Sequence, residues 1–195
     1  MDKTINGKDP YEVMSALQKA VRRNMEVDAL YWAIELIESK YINMALSRLH
    51  VIAHEDIGIA DKEAVLYAIQ CLEDTKRWYK SKNGGWRLAL ANAIMALCRA
   101  KKSREADNLQ CVVWGRRRKG WKLKIPDYAI DKHTWRGKRM GRGEVYAAKE
   151  SYKLVPPNLD DPYFKEATEL WIQFEKTGED MYETIVDKNG NKRLI

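Results

Sequence analysis

The chain has 195 residues, 45% of them hydrophobic, and a formal net charge of +7. That length supports one well-filled core, or one domain with an extended arm, and no stretch approaches the ~18 apolar residues of a membrane span. Three cysteines, an odd number without CxxC spacing, exclude a disulfide framework; Cys71, Cys98 and Cys111 read as small buried hydrophobes of a reducing, cytoplasmic compartment, and the start MDKTINGKDPYEV lacks the apolar run of a secretory signal.

Helical periodicity dominates the first ~115 residues. Asp9 followed by Pro10 is a cap with a first-turn proline, and Val13, Met14, Leu17 and Val21 form the stripe behind it. A second helix carries Val27, Leu30, Ile34 and Ile37, and a third carries Ile42, Ala45, Leu46, Leu49, Ile52 and Ala53. The turn HEDIGIAD, with Glu55, Asp56 and Gly58, ends in Asp61, an N-cap for a fourth helix with Val65, Ile69, Leu72 and Tyr79 inward. After the break at Asn83-Gly84-Gly85, the run WRLALANAIMALCRA is apolar on nearly every face, as expected of a helix surrounded by others. Ser103 can cap a sixth helix through Ala106, Leu109, Val112 and Val113. Helices are also expected near 144–152 and over 162–176, around the Pro156-Pro157 turn, and the tail DKNGNKRLI reads as a small hairpin about Asn189-Gly190 or a frayed end. The fold class is all-α, an array of antiparallel helix pairs joined by short loops.

Between Gly115 and Gly143 eleven Lys/Arg face only Asp127 and Asp131, and the rest of the chain then holds 24 basic and 26 acidic residues. The positive charge is therefore local, and clustered cations of this kind release counterions from a phosphate backbone when they bind it. Arg116, Arg117, Arg118, Lys119, Lys122 and Lys124 are candidate phosphate ligands, as are Lys132, Arg136, Lys138, Arg139 and Arg142. Trp121, Tyr128, His133 and Trp135 are interleaved with these charges as rings that can stack on exposed bases, and Gly137, Gly141 and Gly143 would allow close approach of a strand. The bland alternative is a solvated basic loop.

Two catalytic patterns are testable against this background. His50 and His54 lie four apart on one helix face, but Glu55 follows the second histidine, where a zincin helix places its base between the two, and no third ligand is evident. The acidic pair reads more simply as a turn whose carboxylates accept amides at the start of the next helix. Asp127, Asp131 and His133 could serve a Mg²⁺-dependent nuclease, or could be local charge balance. No metal or cofactor is expected. Five tryptophans, Trp32, Trp78, Trp86, Trp114 and Trp171, fall in helical patterns as core or interface residues.

Three ordered blocks carry a resemblance. HEDIGIAD at 54–61, VDALYWAIELIESKYINMALSRL at 27–49 and LALANAIMALCRAKKSREA at 88–106 resemble turns and helices in the C-terminal region of the replication-associated recombination ATPases. These are clamp-loader-type AAA+ proteins that include the Werner-helicase-interacting ATPase. Beyond Val113 the likeness is confined to a Thr, Lys/Arg residues and the glycine spacing. The GxxxxGK[ST] loop of the motor is not present: Gly115 and Gly120 have the right separation, but Trp121 follows where Lys is needed.

The resemblance implies a helical collar without its motor, self-associating, commonly as a tetramer. The expected organisation is a collar-like domain over 1–115, a basic arm over 116–143, and C-terminal helices and tail over 144–195 packed on the same domain. The expected function is a non-catalytic module that binds single-stranded or forked DNA with low sequence specificity and oligomerises, in replication or replication-linked repair. An accessory subunit docking on an AAA+ ATPase, clamp loader or replisome is the alternative, and a metal-dependent nuclease a third.

Overall fold

The computed structural model describes residues 2–158, 160–178, 184–186 and 192–194. The chain divides into two compact units, Met1–Trp121 and Lys122–Ile195. The basic stretch is therefore shared between them.

The first unit contains six helices: α1 (Pro10–Arg22), α2 (Glu26–Glu38), α3 (Ile42–Ile52), α4 (Lys62–Lys80), α5 (Trp86–Arg99) and α6 (Glu105–Arg118). Asp9 caps α1 as its sequence demands, its Oδ1 accepting from the amides of Tyr11 at 2.7 Å and Glu12 at 3.4 Å. The links after α1, α2 and α4 pass through left-handed residues at Asn24, Lys40 and Lys82. In each, two backward bonds close the helix end, as in Met25 N–H to Ala20 O and Asn24 N–H to Val21 O. In none of the three does glycine hold the left-handed position, although a left-handed L-residue costs ~1 kcal/mol.

α1 packs on α2, and α4 on α5, as adjacent hairpins with α3 across them. Their shared core holds Leu17, Leu36, Leu49, Leu72, Leu90 and Leu97, all fully buried, and truncating any one to alanine is expected to cost ~2–5 kcal/mol. Several expected positions differ. Val27 is exposed and Ala29 and Ala33 fill the α2 seam instead; Tyr79 is exposed while Ala68, Cys71 and Thr75 line α4. α5 is not surrounded, since Leu88 on its first turn lies in solvent. Cys98 is buried, which pushes its thiol up to about 11, whereas Cys111 is exposed rather than in a core. The segment before α1 is tied down: Asn6 donates its backbone and side-chain amides to the buried carboxylate of Glu35, and Ile5 N–H donates to Ser39 Oγ at 2.9 Å.

α6 is unlike the others. It follows Ser103, whose Oγ accepts from Glu105 N–H at 3.2 Å, and it buries none of its fourteen residues. Its expected inward face, Ala106, Leu109, Val112 and Val113, is solvent-exposed.

The second unit is built from a 3₁₀ turn (Asp127–Ala129), α7 (Trp135–Arg139), α8 (Glu144–Tyr146) running into a π-helical turn (Ala147–Ser151), α9 (Phe164–Thr177) and an antiparallel hairpin of β1 (Thr184–Val186) and β2 (Lys192–Leu194). Thr184 pairs with Leu194 and Val186 with Lys192, so the hairpin forms. The Asn189-Gly190 tip lies outside the described residues. Apart from these two short strands the described fold is all-α.

Candidate nucleic-acid interface

The HEDIGIAD turn folds as a π-helical turn (Ala53–Ile57) followed by a 3₁₀ turn (Gly58–Asp61), and Gly58 takes φ +53°, which favours glycine. Asp61 does cap α4, accepting from Ala64 N–H at 3.1 Å. Glu55 and Asp56 do something other than expected. Their carboxylates accept from side chains, not from amides of the next helix. Arg22 of α1 donates Nε to Asp56 at 2.7 Å and Nη2 to Glu55 at 2.9 Å, and Arg104 reaches the same two carboxylates at 3.4 and 3.0 Å. Gln18 Nε2 donates to both. Asp56 is 2% exposed, so its charge requires these partners. The visible signal was Gln18, a polar residue within the apolar stripe of α1.

His50 is committed locally, with Nδ1 2.9 Å from Leu46 O and Nε2 3.5 Å from Glu73. Among the described residues no group of three or more His, Cys, Asp or Glu is placed to hold a metal ion.

The eleven cations separate into two classes. Arg142, 13% exposed, donates Nη1 to the carbonyls of Asp127 at 2.9 Å and Ile130 at 2.7 Å, and Nη2 to both Asp127 carboxylate oxygens at 2.8 Å. Its guanidinium also lies 4.1 Å from the Tyr146 ring centroid. Lys132 pairs with buried Glu144, to which Tyr152 also donates at 3.0 Å, and sits 5.1 Å from the Trp171 ring. Both residues thus organise the second unit. The other nine are exposed, and among the described residues none has an ion-pair partner: Arg116, Arg117, Arg118 and Lys119 close α6, Lys122 and Lys124 follow outside any helix or strand, and Arg136, Lys138 and Arg139 lie on α7.

The aromatic candidates follow the same division. Trp135 is 84% exposed on α7, with Lys138 Nζ 5.8 Å from its ring, and Trp121 is partly exposed with Arg116 at 5.7 Å. His133 is tied to Asp131 through Nδ1 at 3.0 Å. Of the expected core tryptophans, Trp32 and Trp86 pack on the core, whereas Trp114 is exposed.

The glycines serve the chain itself. A Cβ on Gly137 would lie 1.8 Å from Asp131 O, and one on Gly143 would meet the Glu175 carboxylate. Gly120 and Gly141, at φ +87° and +68°, end α6 and α7 with the same pair of backward bonds used after α1.

Asp127 and Asp131 are likewise occupied. The Arg142 and Tyr146 hydrogen bonds hold the Asp127 carboxyl below the usual carboxylate range, and the hydrogen bonds from His133 do the same for Asp131. Each aspartate therefore has a structural role in its own turn.

Two bacterial proteins are similar to this chain. The replication-associated recombination protein A of Bacillus subtilis (strain 168) is 33% identical over 153 residues, which is 75% of this chain and 34% of that protein. The protein of the same name from Haemophilus influenzae Rd is 29% identical over 203 aligned positions, 94% of this chain and 42% of its own length. The chain thus spans less than half the length of these relatives. Residues 25–189 match the family model described as the C terminal of the MgsA AAA+ ATPase, and the chain belongs to that family.

Proposed function

We propose that the chain is a non-catalytic module that binds DNA through the exposed cations of Arg116–Arg139 and self-associates, acting in the cytoplasm in replication or replication-linked repair. The relationship to replication-associated recombination proteins supports the process. The observation that carries DNA binding is the set of nine exposed cations that make no ion pair within 4 Å among the described residues, Arg136 alone feeling the more distant charge of Asp127, with Trp121 and Trp135 beside them. Phosphate contacts from such residues are indifferent to base sequence, and an exposed indole stacks on any unpaired base, so single-stranded or forked DNA is the proposed ligand.

Fluorescence anisotropy with a labelled fork tests this. Six phosphate contacts to duplex would lower affinity about 10³-fold between 50 and 200 mM salt. Trp135→Ala is expected to weaken single-strand binding by ~1–3 kcal/mol and duplex binding much less. Binding that ignores salt would remove the proposal.

A second reading, an accessory subunit docking on an AAA+ ATPase, clamp loader or other replisome component, is favoured by the exposed apolar side chains of α6. It predicts capture of such a partner with no affinity for DNA.

A further inference from the structure

α6 is a fourteen-residue helix, about 21 Å long, with an apolar face and nothing buried. At 3.6 residues per turn Ala106, Leu109, Val113 and Arg117 share one line, flanked by Gln110 and Trp114. Leu109 is 65% and Trp114 62% exposed. Beside this line, α6, the end of α3 and the turn after it border a shallow, open groove of about 420 Å³, mainly apolar, lined by His50, Val51, His54, Ala106 and Gln110 with Glu55 and Asp107 at its edge. Such a face, next to a groove with room for an aromatic side chain, is incomplete as it stands.

Its charges indicate what completes it. The acidic residues of α6, Glu105 and Asp107, lie in the first turn, and Arg116, Arg117 and Arg118 in the last. Asp107 is already held by Arg104, but Glu105 has no cation partner among the described residues, and Arg116 and Arg117 have no carboxylate. A helix polarised in this way is its own complement when reversed. Parallel alignment of two copies would set arginine cluster against arginine cluster; antiparallel alignment sets the arginines of each against Glu105 of the other.

We propose that α6 is an isologous contact, pairing antiparallel with α6 of a second copy of this chain. Leu109 and Val113 meet across the two-fold axis. Glu105 of each copy lies alongside Arg116 and Arg117 of the other. Trp114 of each copy, two turns from Ala106, enters the groove between α3 and α6 of the other. The groove matters because one helix face falls short of the ~800 Å² per partner of a stable interface. Such a contact makes a dimer, and a tetramer requires a second, different interface. This inference rests on the self-association proposed above and names its surface.

Size-exclusion chromatography with light scattering on the whole chain, without DNA, reads the outcome. Wild type is expected to run at a multiple of 22.7 kDa. Glu105→Arg alone and Arg116→Glu alone each turn both symmetry-related pairs into like charges, and each should weaken association about tenfold or more. The double variant E105R/R116E, and an equimolar mixture of the two single variants, should recover it, a pattern that a mere folding defect does not produce. Leu109→Glu should dissociate the assembly while leaving the thermal melt of the first unit in place, because Leu109 is mostly exposed and outside the core. If wild type assembles and every variant assembles equally, or if the charge exchange fails to rescue, the contact lies elsewhere and the α6 proposal fails, with self-association intact. A wild-type monomer at all concentrations overturns both.

Discussion

Arg142 reaches back fifteen residues to Asp127 and grips it by side chain and backbone together, with Nη2 2.8 Å from each carboxylate oxygen and Nη1 2.9 Å from its carbonyl. The residue looks in sequence like any other member of the basic stretch. Its role is internal. Arg142→Ala should lower the melting temperature of the second unit by about 5–10 °C, whereas Arg139→Ala should leave it unchanged and reduce only DNA affinity. Differential scanning calorimetry alongside anisotropy separates the two, and equal effects of both variants on melting would contradict the assignment.

Gly137 sits where the α7 turn closes on Asp131. A methyl group there meets a backbone carbonyl, which cannot swing aside as a side chain would. Gly137→Ala should therefore disturb the second unit, seen as lost amide dispersion in NMR spectra for residues 127–147. Gly115→Ala, with open space around its Cβ, should be silent or slightly stabilising.

Asp56 is held by two arginines, Arg22 of α1 and Arg104 immediately ahead of α6. Removing Arg22 leaves a buried carboxylate with a more distant, less ideal partner, and Arg22→Ala is expected to cost ~3 kcal/mol in urea unfolding. Arg22→Ala combined with Asp56→Asn should recover much of that loss, since the buried charge is then gone as well. Additive losses would show that the pair is not coupled.

Burial works to raise the Glu35 carboxyl, but hydrogen bonds from Thr4 and Asn6, with the charge of Lys8, outweigh it and leave the group below its ordinary 4.5. A depressed carboxyl stabilises the fold above its unfolded value and loses that contribution as pH falls through the folded one. The first unit should therefore weaken progressively below about pH 4.5, and Glu35→Gln should flatten that part of the profile while costing ~1–2 kcal/mol at pH 7. An unchanged acid limb in the variant would exclude Glu35 as its source.

Cys111 is exposed while Cys71 and Cys98 are buried, and burial raises both buried thiols. A disulfide reagent at pH 8 should titrate one thiol rapidly and the other two only on unfolding. Cys111→Ser should abolish the fast phase.

Much of the first unit was legible because its residues obey local rules. Asp9-Pro10, the apolar stripe of Val13, Leu17 and Val21, and the Gly58-to-Asp61 turn each carry their instruction within a few positions, and the structure follows them. The turns at Asn24 and Lys40 were silent, and at Lys82 the glycines that follow marked the break but not the left-handed residue, since nothing about Lys identifies one until the neighbouring helices fix where the chain must go. The candidate site was legible in charge and not in partnership. Net charge located the stretch, but which of eleven cations serve the fold depends on Glu144 and Asp127 being brought back by tertiary contacts. α6 misled for a related reason: apolar periodicity states that a face seeks cover without stating that the cover comes from the same chain.

A helix tied to its unit by Arg104 and the Ser103 amide, and contributing no side chain to the interior, is uncoupled from the demands of core packing. Substitutions along it can alter what the surface recognises at little thermodynamic expense to the bundle beneath. Its outward residues can therefore be retuned to a new counterpart through single changes, a latitude denied to every position on α1 through α5 that faces inward.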